Sequence, residues 1–134
     1  MVFGLFKKKP DKGKVALEFI PYVLQVQLTL GGGGAAAIAA DHWALGYVFG
    51  FHDGVLQALE VNDQTESMAM MAVSYLKLFG GPDTGAKLFR QCLDLQRNQM
   101  FMKGVFAGGG EAVAYLRDRT PPMGLARHLQ DRVK

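Results

Sequence analysis

The sequence predicts an all-α protein, a single-domain bundle of about five helices joined by short Gly/Pro-rich connections. Three observations carry this reading. Clusters at Gly31 to Gly34, Gly80-Gly81-Pro82, Gly108 to Gly110 and Pro121-Pro122 cut the chain into pieces of helical length. Within those pieces apolar residues recur every three to four positions, as on a helix with one buried face. Asp63 followed by Glu66 has the spacing of a capping box. With 134 residues, 49% hydrophobic and 20% charged, the chain suffices for one core and is too short for two ordinary domains. The expected organisation is a basic tail over 1–14 and one helical domain over 15–134.

The tail sets Phe3, Leu5 and Phe6 ahead of Lys7, Lys8, Lys9, Lys12 and Lys14, with a net charge of +4. Phe3, Phe6, Lys7, Lys8 and Lys9 together could touch an anionic membrane surface, though so short a segment binds weakly. A solvated tail is the preferred reading. The rest of the chain carries ten basic and eleven acidic residues, so no basic face for nucleic acid is expected. The apolar run from Phe19 to Leu30 is interrupted by Pro21, Gln25 and Gln27 and preceded by Glu18, which argues against both a secretory signal and a membrane span. Cys92 is the one cysteine, which excludes an internal disulfide and a multi-cysteine zinc site. A cytoplasmic setting is expected.

Residues 15–30 alternate like a strand at Ile20, Tyr22, Leu24, Val26, Leu28 and Leu30, yet Glu18, Tyr22, Gln25 and Thr29 share one sector of a helix. Helix is preferred, with Pro21 in its first turn, because no other segment offers a strand to pair with. Residues 35–60 read as one buried central helix. A helix capped by Asn62 or Asp63 follows, with Met68, Met71, Ala72, Tyr75, Leu78 and Phe79 as its stripe and Gly80 as its stop. Asp83 or Thr84 caps a fourth helix whose face runs through Leu88, Cys92, Leu95, Gln99 and Met102. The glycines at 108–110 read as a turn before a short helix over 111–119. Met123, Ala126, Leu129 and Val133 mark a final basic helix. Met68, Met70, Met71, Met100 and Met102 read as core in preference to an adaptable binding surface.

Gly46, Gly50 and Gly54 recur at intervals of four inside the most apolar segment. Each costs a helix about 1 kcal/mol relative to alanine, so the bare ridge is expected to admit another backbone at close range. The partner helix belongs either to the same chain or to a second copy; the competing reading is that Gly50 or Gly54 breaks the helix.

Asp41-His42 and His52-Asp53 supply the histidine and carboxylate pairs for a metal or acid–base site. The His52-Asp53 pair resembles the signature of HD-domain phosphohydrolases, helical enzymes that gather divalent metals on His, His-Asp and a later Asp. That resemblance implies His42, His52 and Asp53 as metal ligands, with Asp94 as the later carboxylate. Ten residues of continuous helix would hold His42 and His52 about 15 Å apart and some 80° around the axis, so only a break near Gly46 or Gly50 could unite them. Over residues 46–54, Gly-Tyr, Gly and Asp-Gly are also similar to a helix of the Tai-type immunity proteins, whose paired cysteines this chain lacks. That likeness implies a small helical binding protein. No catalytic machinery and no cofactor are expected. Segments 15–30 and 35–59 carry more apolar face than one subunit readily hides, which predicts a homodimer and contacts with protein partners.

Overall fold

The computed structural model describes residues 12–133. It is all-α. Among the described residues seven helices follow one another: α1 (Lys12–Gly31), α2 (Ala35–Ala39), α3 (His42–Ala58), α4 (Gln64–Leu78), α5 (Pro82–Asp94), α6 (Gln99–Asp118) and α7 (Gly124–Val133).

The ambiguous first segment is helix. Ala16, Ile20, Leu24, Gln27 and Leu28 line its buried face at a helical period, while Glu18, Tyr22, Gln25 and Thr29 are exposed. Pro21 lies well inside α1, not in its first turn, because the helix already begins at Lys12. Gly32 ends it with φ of 71°, and the Gly33 amide donates to Leu28 O at 3.2 Å; this left-handed position is the reason for glycine there.

The segment over 35–60 is two helices, not one. Asp41 is extended and its Oδ1 accepts from the Ala44 amide at 3.1 Å, so it ends the alanine-rich turn and caps α3. From His42 to Ala58 the helix is unbroken, and Ala44, Leu45, Tyr47, Val48, Phe51, Val55 and Leu56 are buried along it. Asp63 caps α4 through the Glu66 amide at 2.8 Å.

The second departure lies between α5 and α6. The expected helix through residue 102 stops at Asp94, and Asn98 starts a new one by accepting from the Phe101 amide at 3.0 Å. Gly81, with no side-chain cap, stands where Asp83 or Thr84 was expected. The third departure is Gly108 to Gly110, which is no turn: α6 runs through it to Asp118.

That continuity has a packing cause. The most extensive helix contact in the fold joins α3 to α6. A Cβ at Gly46 would overlap the Phe101 carbonyl oxygen, one at Gly50 the Val105 carbonyl oxygen, and one at Gly54 would lie 2.9 Å from the Gly109 carbonyl oxygen. From the other side, a Cβ at Gly104 would overlap the Trp43 carbonyl oxygen and one at Gly108 that of Tyr47. Contacts advance in the same order along both helices, so α3 and α6 are parallel, backbone against backbone. Glycine's helical penalty is offset by contacts that a Cβ on either side would prevent. The other helices close around this pair, α1 against α4 and α7, and α5 against α4.

Candidate functional site

The two histidines that the HD-domain resemblance implies as metal ligands are not brought together. His42 is exposed at the start of α3, and His52 is fully buried further along the same unbroken helix. Both His52 ring nitrogens are engaged: Nδ1 lies 2.7 Å from the Val48 carbonyl and Nε2 2.7 Å from Ser74 Oγ. A carbonyl only accepts, so Nδ1 carries the proton and Nε2 accepts from the Ser74 hydroxyl. Asp53 accepts from Gln57 Nε2 at 2.7 Å on the exposed side, and Asp94 ends α5 at the surface. Among the described residues no group of three His, Cys, Asp or Glu side chains is placed to hold a metal ion. His42, His52 and Asp53 stay apart because α3 is continuous past Gly46 and Gly50, where only a break would have united them.

Burial pushes the His52 imidazole down to about 4, although the Val48 carbonyl partly opposes this. The unfolded chain therefore takes up a proton near pH 6.5 that the folded chain refuses until about pH 4. The contribution of His52 is fully present above pH 6.5 and, at roughly 3 kcal/mol in all, is expected to be lost as the pH drops to about 4. Urea titrations across that range are expected to show this acid limb, and a His52→Gln variant is expected to flatten it.

A cluster that the sequence did not suggest joins α7 to α3. Asp41 Oδ2 accepts from His128 Nε2 at 2.7 Å and from Arg132 Nη1 at 2.8 Å, and the His128 ring stacks on Trp43 at 4.3 Å between centroids. Burial alone would raise the Asp41 carboxyl; the Ala44 amide, His128 and Arg132 more than reverse that and hold it below its ordinary value. This contribution is present above the usual carboxylate range and is lost as the pH falls below it. The three side chains tie the last helix to the cap of α3.

Gln27, the polar interruption on α1, anchors a second such tie. Its Nε2 donates to Tyr47 Oη at 2.9 Å, and Tyr47 in turn donates to Glu111 Oε1 at 2.8 Å. Gln27 Oε1 accepts from the Leu125 and Ala126 amides at 2.9 and 3.1 Å, and Glu111 Oε1 accepts from the Gly124 amide at 2.8 Å. Side chains from two other helices thus satisfy the first amides of α7. The Tyr47 hydroxyl is held protonated by burial and by Glu111. Cys92 is buried 3.4 Å from Tyr75 Oη, and burial pushes its thiol up to about 12, the reverse of an activated nucleophile.

Some large apolar side chains stay open to solvent. On α1, Tyr22 is 71% exposed and Leu30 50%. On α6, Phe106 is 75% exposed at the edge of a groove of about 540 Å³ between α3 and α6. Gly50, Gly54, Gly109 and Gly110 line that groove, together with Asp53 and Arg117. Gly46, the third helix-packing glycine, faces Phe101 at the other end of the crossing. The glycine spacing 104–108 repeats that of 46–50–54 and was the available signal for this pairing; the run 108–110 hid it by resembling a turn. Of the methionines expected in the core, Met71 is buried and Met100 is 48% exposed.

Comparison with protein-family models, curated proteins and solved structures finds no match. Among the described residues no helix is long and apolar enough to cross a membrane. The membrane-contact residues Phe3, Phe6, Lys7, Lys8 and Lys9 lie outside the described residues.

Proposed function

We propose that this is a small cytoplasmic interaction protein that works by self-association, with no catalytic centre of its own. The observation that carries the reading is the set of large apolar side chains, Tyr22, Leu30 and Phe106, left in water on two different helices. A second subunit covering either face would remove that surface from solvent, gaining about 25 cal/mol for each Å² of apolar area buried. The groups that a catalytic reading would need are spent on structure. His52 is closed off in the core, Cys92 is a buried thiol, and Asp41 with His128 ties two helices together.

Light scattering on the full chain at micromolar concentration tests this. A mass twice that of the chain is expected, with dissociation on dilution. A monomer throughout would overturn the reading.

A further inference from the structure

We infer that the outward face of α1, together with the basic segment that precedes it, lies against an anionic lipid surface. The inference goes beyond the self-association proposed above and does not depend on it, since Phe106 on α6 remains for a second copy. It begins from Val15, Tyr22, Val26 and Leu30, apolar side chains at helical spacing that are all exposed on this one helix. From Tyr22 onward that face carries no charge. Tyr22, Gln25, Val26, Thr29 and Leu30 line an open hollow of about 220 Å³. The sequence from Phe19 to Gly31 contains no Asp, Glu, Lys or Arg. Tyr22, the most exposed of the four, has an apolar ring and a hydroxyl that stays wet, the combination that suits the boundary between acyl chains and water.

Charge selects the occupant. Where α1 begins, its Lys14 and Glu18 line one hollow with Glu66 and Lys77 of α4, two charges of each sign. The excess at that end is therefore that of Lys7, Lys8, Lys9 and Lys12 over Asp11, in the residues that lead directly into the helix. A second copy brings the same positive excess and supplies nothing to neutralise it. An anionic bilayer takes both parts, its headgroups meeting the lysines and its acyl boundary the apolar stripe. The tail by itself is too short to bind strongly. The stripe on α1 supplies the second signal that stable attachment requires, consecutive in the chain with the first.

The test is co-sedimentation of the full chain with phosphatidylcholine vesicles, with and without phosphatidylserine, and light scattering in the absence of lipid. Two variants accompany the wild type, with helicity checked by circular dichroism. One combines Tyr22→Glu and Val26→Glu, both at exposed positions where the fold has no need of the side chain. The other combines Lys7→Gln, Lys8→Gln and Lys9→Gln. The wild type is expected to bind the phosphatidylserine vesicles, more weakly as salt rises, and to leave pure phosphatidylcholine unbound. Each variant is expected to be folded and to bind more than about tenfold more weakly. A wild type that ignores phosphatidylserine overturns the inference, as does an α1 variant that binds like the wild type, since the tail would then act alone. A solution mass halved by the α1 variant assigns this face to a second copy and overturns it too. A monomeric wild type that binds the vesicles removes self-association and leaves this inference standing.

Discussion

Gly50→Ala is expected to destabilise the fold by about 3 kcal/mol or more, at the upper end of what overpacking costs. In an isolated helix the same change would stabilise by about 1 kcal/mol. The sign reverses because the new methyl would overlap the Val105 carbonyl oxygen and lie 2.6 Å from Val105 Cα, both of them backbone atoms. A rotamer change cannot relieve that, so α3 and α6 must move apart. Separation loosens every contact along the crossing, including those at Gly46 with Phe101 and at Gly108 with Tyr47. A Gly46→Ala, Gly50→Ala double variant should therefore cost less than the sum of the singles, since the first methyl already opens the gap that the second needs. Urea titrations of the two singles and the double measure both the size and the non-additivity.

Gln27→Leu is the second large effect, expected at roughly 3 kcal/mol. The substitution nearly keeps the volume and removes the oxygen that accepts from the Leu125 and Ala126 amides, both on buried residues. Two buried donors are left without a partner, each worth about 1 to 3 kcal/mol. Tyr47→Phe leaves one buried donor, Gln27 Nε2, without its acceptor, at a cost of about 1 to 3 kcal/mol, but Gln27 still caps α7 and Glu111 still accepts from Gly124. Hydrogen exchange separates the two cases. Gln27→Leu should speed exchange across α7 ahead of the rest of the chain, and Tyr47→Phe should not. Equal acceleration of exchange across α7 in the two variants would contradict the assignment of Gln27 as the cap of α7.

These two effects also mark what could be read from the sequence. The helical class was legible because the amphipathic stripes are local, and so was the Asp63 cap, whose partner lies three residues away. The starts of α3 and α6 depend on Asp41 and Asn98, which signal a cap only when the chain around them turns, and no Gly or Pro cluster announced either turn. The glycine run at 108–110 has the local form of a break, and its helical state is imposed by a neighbour fifty and more residues away in sequence. Long-range contact also governs the polar groups. Gln27 looked like an interruption of an apolar face, but its partners are Tyr47 and the start of α7. His128 was overlooked because Asp41 precedes it by most of the chain. The histidine pair invited a metal reading because the chain states identities without stating which ring nitrogens are already taken.

The close parallel crossing of α3 and α6 is the claim on which the fold depends, and one pair of variants tests it directly. Gly108→Ala and Gly110→Ala are the same chemical change two residues apart in one run of glycines. They would be compared by urea unfolding at one fixed, low protein concentration. A Cβ at 108 would overlap the Tyr47 carbonyl oxygen, whereas one at 110 meets nothing within 4 Å. Gly108→Ala is expected to lower stability by about 3 kcal/mol, and Gly110→Ala to raise it by up to about 1 kcal/mol. If both raise stability, or both lower it equally, α6 does not lie against α3 as described.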